Sequence, residues 1–100
     1  MDANLLITLQ NYGLSEKEAR VYLTVLELGT SIASTIARRA ELNRVTVYTL
    51  LEDLRRRGIT NEIKKDNIKY YNAVGPELLF NQLEKKYEDF KQKLPELVLL

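Results

Sequence analysis

The chain contains no cysteine, no histidine and no tryptophan. Without cysteine there can be no disulfide framework, and without either of the first two residues a Cys/His zinc site cannot be built. The same absences remove the Ser-His-Asp and Cys-His nucleophile systems. Glycine occurs only at positions 13, 29, 58 and 75, too scattered for a phosphate-cradling loop. The adjacent carboxylates Glu52-Asp53 and Glu88-Asp89 fall on expected solvated helix faces, so neither an enzyme nor a cofactor is expected. No apolar run approaches the ~18 residues that a membrane span requires. Asp2 and the lack of a basic segment before the first apolar residues argue against a secretory signal. A chain without cysteine suits a reducing interior, and a cytoplasmic location is expected.

What is present is one domain's worth of core. Apolar residues make up 45% of the 100 positions, and charged residues make up 29%. The net charge of +1 conceals an uneven distribution. Residues 34–69 carry nine Lys/Arg against five Asp/Glu, while residues 1–33 carry two against four and residues 70–100 four against five. A basic middle between two slightly acidic ends is the electrostatic footprint expected of phosphate recognition, although a solvated basic face gives the same count.

That basic middle also has a recognisable order. Ser34 to Ala40 carries apolar residues at Ile36, Ala37 and Ala40. Glu41-Leu42-Asn43 interrupts the pattern, and Val47, Leu50, Leu51 and Leu54 resume it at the i, i+3, i+4, i+7 spacing of a helix. Asn43 is a good N-cap with Thr46 at the third helical position, and Gly58 ends the helix after three arginines. Two strand-like runs, Ile59–Ile63 and Ile68–Val74, flank Lys64-Lys65-Asp66-Asn67, where Asp66 and Asn67 both tolerate the positive φ of a tight hairpin. Helix, turn, helix and basic hairpin describe a winged helix-turn-helix, with double-stranded DNA as its leading ligand. The expected fold is mainly α with a small β-hairpin wing, and a nucleoid-associated place in the cytoplasm follows.

Such a recognition helix inserts its N-terminal end into the major groove. Arg44, Val45, Tyr48 and Thr49 are then nearest the base edges. Ser34, Thr35 and Arg38 on the first helix, Asn43 and Thr46 at the start of the second, and Lys64, Lys65 and Lys69 at the wing tip complete the expected DNA-facing set. Arg55-Arg56-Arg57 can touch phosphates or complement the macrodipole of their own helix, and the second role is preferred. Glu41 stands where such turns often use glycine to reach positive φ, at a cost of roughly 1 kcal/mol unless the turn closes differently.

The flanks supply support. Asp2–Tyr12 is read as a short helix stopped at Gly13. Ser15 and Glu18 form a capping box for a helix from Glu16 to about Leu28, with Ala19, Tyr22, Leu23 and Leu26 as its inward stripe. Thr30-Ser31-Ile32 is expected as a third strand beside the hairpin. Residues 1–75 thus form the DNA-binding domain, and residues 76–100 a C-terminal dimerisation helix opened by Pro76. Its seam is Leu83, Tyr87, Phe90, Leu94 and Leu97, at coiled-coil spacing, so a homodimer is expected. Pro95 is expected to end or kink this helix.

Leu14-Ser15-Glu16-Lys17-Glu18-Ala19-Arg20-Val21-Tyr22-Leu23, Thr46-Val47-Tyr48 and Tyr70-Tyr71-Asn72-Ala73-Val74-Gly75-Pro76-Glu77-Leu78-Leu79 together resemble the N-terminal domain of the TrmB family, archaeal and bacterial sugar-responsive transcriptional regulators. The likeness runs over nearly residues 4–94. It implies a sequence-reading dimer acting at promoters. Two features depart from the family: Glu41 in the turn, and the absence of the sugar-binding effector domain that follows the linker helix in full-length members. No sugar ligand is therefore assigned, and the chain reads either as an excised DNA-binding domain or as a short relative. A nucleoid-coating architectural protein and a winged helix used only for protein–protein contact remain open. Glu41, Glu52 and Asp53 near the DNA face favour the last of these.

Overall fold

The computed structural model describes residues 1–100. Five helices and a three-stranded antiparallel sheet follow in the order α1 (Ala3–Asn11), α2 (Glu16–Leu28), β1 (Ser31–Ile32), α3 (Ala33–Ala40), α4 (Arg44–Arg56), β2 (Thr60–Lys65), β3 (Ile68–Ala73) and α5 (Pro76–Val98). The architecture is a winged helix-turn-helix with one further long helix. No helix is long and apolar enough to cross a membrane.

Local chemistry accounts for the element boundaries. The Asp2 carboxylate caps α1. The Ser15 hydroxyl accepts from the Glu18 amide, and the Glu18 carboxylate accepts from the Ser15 amide, so the expected capping box is complete. The Asn43 side chain accepts from the Val45 amide at the start of α4. Asp66 and Asn67 adopt φ of 52° and 63° and close a two-residue turn between β2 and β3. Their left-handed geometry matches the twist of the hairpin. β3 is central, with β1 paired through Ser31–Tyr71 and Ile32–Tyr70, and β2 paired from Thr60–Ala73 to Lys65–Ile68.

The core gathers Val21, Tyr22 and Val25 of α2, Ile36 of α3, Val47, Leu51 and Leu54 of α4, Ile59, and Tyr71 of β3. Two polar groups at its edges fix the wing. The Thr60 hydroxyl donates to the Leu51 carbonyl at 3.1 Å, tying β2 to α4. The Tyr22 hydroxyl donates to the Val74 carbonyl at 2.8 Å, tying the wing's exit to α2.

Three expectations need correction. Leu26 does not point inward; it is exposed, while Val21, Thr24 and Val25 are buried. α2 contacts α1, α3, α4 and β3, so its buried arc is wider than one stripe. Pro95 does not end α5, which continues to Val98. The ring removes the amide that would bond the Lys91 carbonyl and crowds that carbonyl, and in this exposed final stretch water can take up the freed acceptor. The turn after α3 closes without glycine and without an alternative geometry, because Glu41 itself adopts the left-handed conformation at φ 57° and ψ 46°. The Arg20 guanidinium on α2 donates to the carbonyls of Ala40 and Glu41 and holds the strained turn against the domain.

α5 divides into two halves. Leu79 is buried in the core, and Leu83 packs against it. From Glu84 onward every residue is exposed.

Candidate nucleic-acid interface

A groove of about 400 Å³ lies between the start of α3, the outer face of α4 and the wing. Ser34, Arg44, Tyr48, Lys64 and Lys69 line it together with Ile32 and Ile68. Five of the expected DNA-facing residues, drawn from α3, α4 and the two strands of the wing, therefore converge on one concave surface.

α4 presents its outer face because Val47, Leu51 and Leu54 bury the opposite one. Val45 stands almost fully free in solvent, at 73% exposure. Tyr48 is half-covered. Its ring meets the buried Tyr71 ring edge-on, with centroids 6.5 Å apart and planes at 80°. The Arg44 guanidinium lies 6.0 Å above the Tyr48 ring. This chain of contacts runs from the core through Tyr71 and Tyr48 to Arg44, and it limits the positions that the two exposed side chains adopt. The Thr49 hydroxyl donates back to the Val45 carbonyl at 3.3 Å, and its oxygen keeps its capacity to accept.

Tyr71 sits at the join of helix and wing. It is fully buried, and its hydroxyl points at Glu52 at 3.5 Å. Burial, reinforced by the charges of Glu52 and Glu62, pushes its phenol up to about 12. Glu52 is held below the usual carboxylate range by the hydrogen bond from Arg55, with further help from its charge and those of Lys69 and Arg56.

The three arginines at the end of α4 are all engaged within the fold. Arg55 pairs with Glu52 at 2.8 Å, Arg56 with Asp53 at 2.7 Å and Arg57 with Glu18 at 3.2 Å. Arg57 also donates to the Gly13 carbonyl. Arg38 on α3 is exposed, whereas the neighbouring Arg39 pairs with Glu27. Thr35 and Thr46 are half-buried, and Asn43 is occupied as the cap of α4.

The wing lysines do not form one cluster. Lys64 lies opposite Lys69 in the register, so both point to the α4 side, where Lys69 also meets Glu62 at 3.2 Å. Lys65 lies opposite Ile68 on the other face of the strand pair and, unlike Lys64 and Lys69, does not line the groove. Alternation along the strand already contained this distinction, since adjacent residues cannot share a face.

The geometry defines a class: a winged helix-turn-helix with a basic groove between recognition helix and wing. The model of the family described as sugar-specific transcriptional regulator TrmB matches residues 9–77, and the chain belongs to that family. It is similar to the HTH-type sugar sensing transcriptional regulator TrmBL1 of Pyrococcus furiosus, with 33% identity over 89 residues that cover 89% of this chain and 25% of that protein. An uncharacterised protein of Methanocaldococcus jannaschii is 35% identical over 86 residues, covering 82% of this chain and 72% of the relative. Among solved structures, TrmBL2, described as an archaeal chromatin protein with a novel mode of DNA binding, superimposes with a TM-score of 0.74 at 25% identity. That match covers 95% of this chain and 35% of TrmBL2. The chain thus spans about a quarter of the first relative and about a third of TrmBL2.

Proposed function

We propose that this chain binds double-stranded DNA through the groove between α4 and the wing, and that it does so as a homodimer in transcriptional regulation. The observation that carries the reading is the convergence of Arg44, Tyr48, Ser34, Lys64 and Lys69 on one concave surface. The N-terminal half of α4 enters the major groove, with Arg44 offering two donors to a guanine edge and Val45 an apolar contact for a thymine methyl. Ser34, Thr35, Arg38, Asn43 and Thr46 border the site and meet the backbone, while Lys64 and Lys69 neutralise phosphates.

The competing reading as a protein-contact module leans on acidic Glu41, Glu52 and Asp53. Glu52 and Asp53 are each paired with an arginine on the same helix, and Glu41 does not line the groove, where Arg44, Lys64 and Lys69 set the sign of the surface. A role as a chromatin-coating protein, as the description of TrmBL2 states for that relative, differs from a promoter-specific role only in how much α4 reads bases. Mobility shifts on random duplex DNA at two salt concentrations test the proposal. Binding that weakens steeply with salt is expected, and no shift at low salt contradicts it. A genome-wide occupancy profile then separates the two DNA roles, since sharp promoter peaks mean a regulator and broad coverage means architecture.

Salt dependence also separates the wing lysines. Replacing Lys64 and Lys69 with alanine should lower the magnitude of the log affinity against log salt slope by about 0.9 for each phosphate left without its lysine. Lys65→Ala should leave the slope nearly unchanged, because that side chain faces away from α4. Equal effects from all three would mean that the duplex covers the whole tip.

The homodimer rests on the exposed seam of α5. Tyr87, Phe90, Leu94 and Leu97 are each at least 46% exposed, and Leu83 joins them at the edge of the core. Two exposed apolar turns of this kind are typical of a helix with a missing partner. Phe90→Ser with Leu94→Ser should give a folded monomer by sedimentation, with an unchanged circular-dichroism spectrum. A mass of one chain for the unaltered protein at tens of micromolar would remove the dimer.

A further inference from the structure

A second and larger groove, about 740 Å³, opens on the face away from the wing, between α1, α2 and the first half of α5. Its lining is almost wholly apolar and includes Leu5, Leu9, Tyr12, Leu26, Phe80 and Tyr87. α1 forms one wall; none of its nine residues is fully buried, and of its four Leu or Ile residues only Leu6 and Leu9 pack partly on the core. So short a helix is marginal in water without tertiary cover. The opposite wall is α5, whose exposed second half has no packing partner in its own chain. The molecule therefore carries an uncovered apolar groove and an uncovered apolar helix of matching kind.

We infer that the second half of α5 from another copy fills this groove, with the two α5 helices antiparallel and Phe80, Leu83 and Tyr87 meeting the partner's Leu97, Leu94 and Phe90. This rests on the homodimer proposed above and specifies its geometry. The seam runs 80, 83, 87, 90, 94, 97, with alternating spacings of 3 and 4 that read the same in both directions. Reversing one helix about the point between Glu88 and Asp89 thus superimposes the two seams on each other, layer by layer. One two-fold operation then buries both grooves and both helix ends. A parallel pair covers the seams but leaves the α1 groove open.

Charge at the helix edges favours the same arrangement. Glu84 lines the groove, and the antiparallel register sets it beside the partner's Lys91, twice by symmetry. The far edge sets Lys86 near the partner's Lys93, a repulsion left open to solvent. A parallel register sets Lys86 beside the partner's Lys91 on both edges and offers no attractive pair.

The native chain has no cysteine, so introduced thiols report the register cleanly. Phe80→Cys and Leu97→Cys variants are prepared separately, checked for dimer mass by sedimentation, and oxidised alone and as an equilibrated 1:1 mixture. In the antiparallel pair the two copies of position 97 are about 25 Å apart along the helix axis, far beyond the ~7 Å limit between disulfide-bonded Cα atoms. Cross-linked dimer should therefore form in the mixture and not in either variant alone. Self-cross-linking of Leu97→Cys would make the pair parallel and overturn the inference, as would a dimer that fails to cross-link in the mixture. A mass of one chain would instead remove the dimer itself. Two further variants test the walls without touching the core. Glu84→Lys should weaken dimerisation, and adding Lys91→Glu should restore it. Leu5→Asp should raise the dimer dissociation constant about tenfold. An unchanged constant would show that no partner covers α1.

Discussion

Tyr71→Ala is expected to cost the protein a large share of its folding stability. The side chain is fully buried at the meeting of β3, α2 and α4, and truncating a buried aromatic costs about 3–5 kcal/mol. A domain of this size has only about 5–15 kcal/mol in total. Urea unfolding followed by circular dichroism should show the midpoint well below the wild-type value. Tyr71→Phe keeps the ring and removes only the hydroxyl near Glu52, so its loss should be on the order of 1 kcal/mol. The phenol adds a pH signature. Its folded-state pKa is raised to about 12 from the ordinary 10, so the fold prefers the neutral form. That preference contributes fully below pH 10 and is lost as pH rises towards 12. Tyr71→Phe should therefore lose less stability than the wild type across that window. Equal alkaline losses, or an alanine variant with a wild-type midpoint, would show that Tyr71 is not the joint between wing and helix.

Removing Arg44 and Tyr48 together should have the largest effect on DNA binding. Both are exposed at the outer face of α4, so the fold should survive alanine at either position. Removing one well-formed interaction with a base edge costs about 1–3 kcal/mol and relaxes preference at one position of the site. The two effects should not add. The Arg44 guanidinium rests over the Tyr48 ring, so the tyrosine's removal already loosens the arginine. A double-mutant cycle on cognate duplex measures that coupling. Unchanged affinity and unchanged base preference in the double variant would place the readout on another surface.

Much of this was legible in the sequence because it is set by local chemistry. Ser15 with Glu18 and Asn43 before α4 satisfy backbone amides within four residues, Asp66-Asn67 take the positive φ that the hairpin needs, and each forms as expected. The helical period of Val47, Leu50, Leu51 and Leu54 fixed which face of α4 turns outward, and with it the exposure of Val45 and Tyr48. What the sequence concealed is set by contacts far apart in the chain. The Arg20 clamp on the Glu41 turn joins residues about twenty positions apart. Leu26 was misplaced because a single stripe cannot describe a helix packed on several sides. The Tyr71–Tyr48–Arg44 relay needs the wing folded onto α4 before it exists. The separation of Lys65 from Lys64 and Lys69 was available from strand alternation, but only once the register was fixed.

The central claim is that duplex DNA lies in the groove between α4 and the wing. Backbone amide resonances followed during titration with a short duplex test it directly. The largest shifts should fall at Ser34, at Arg44 to Thr49, and at Lys64 and Lys69, while α1 and the second half of α5 stay still. Shifts concentrated on α1 and α5, with α4 and the wing unmoved, would contradict the account.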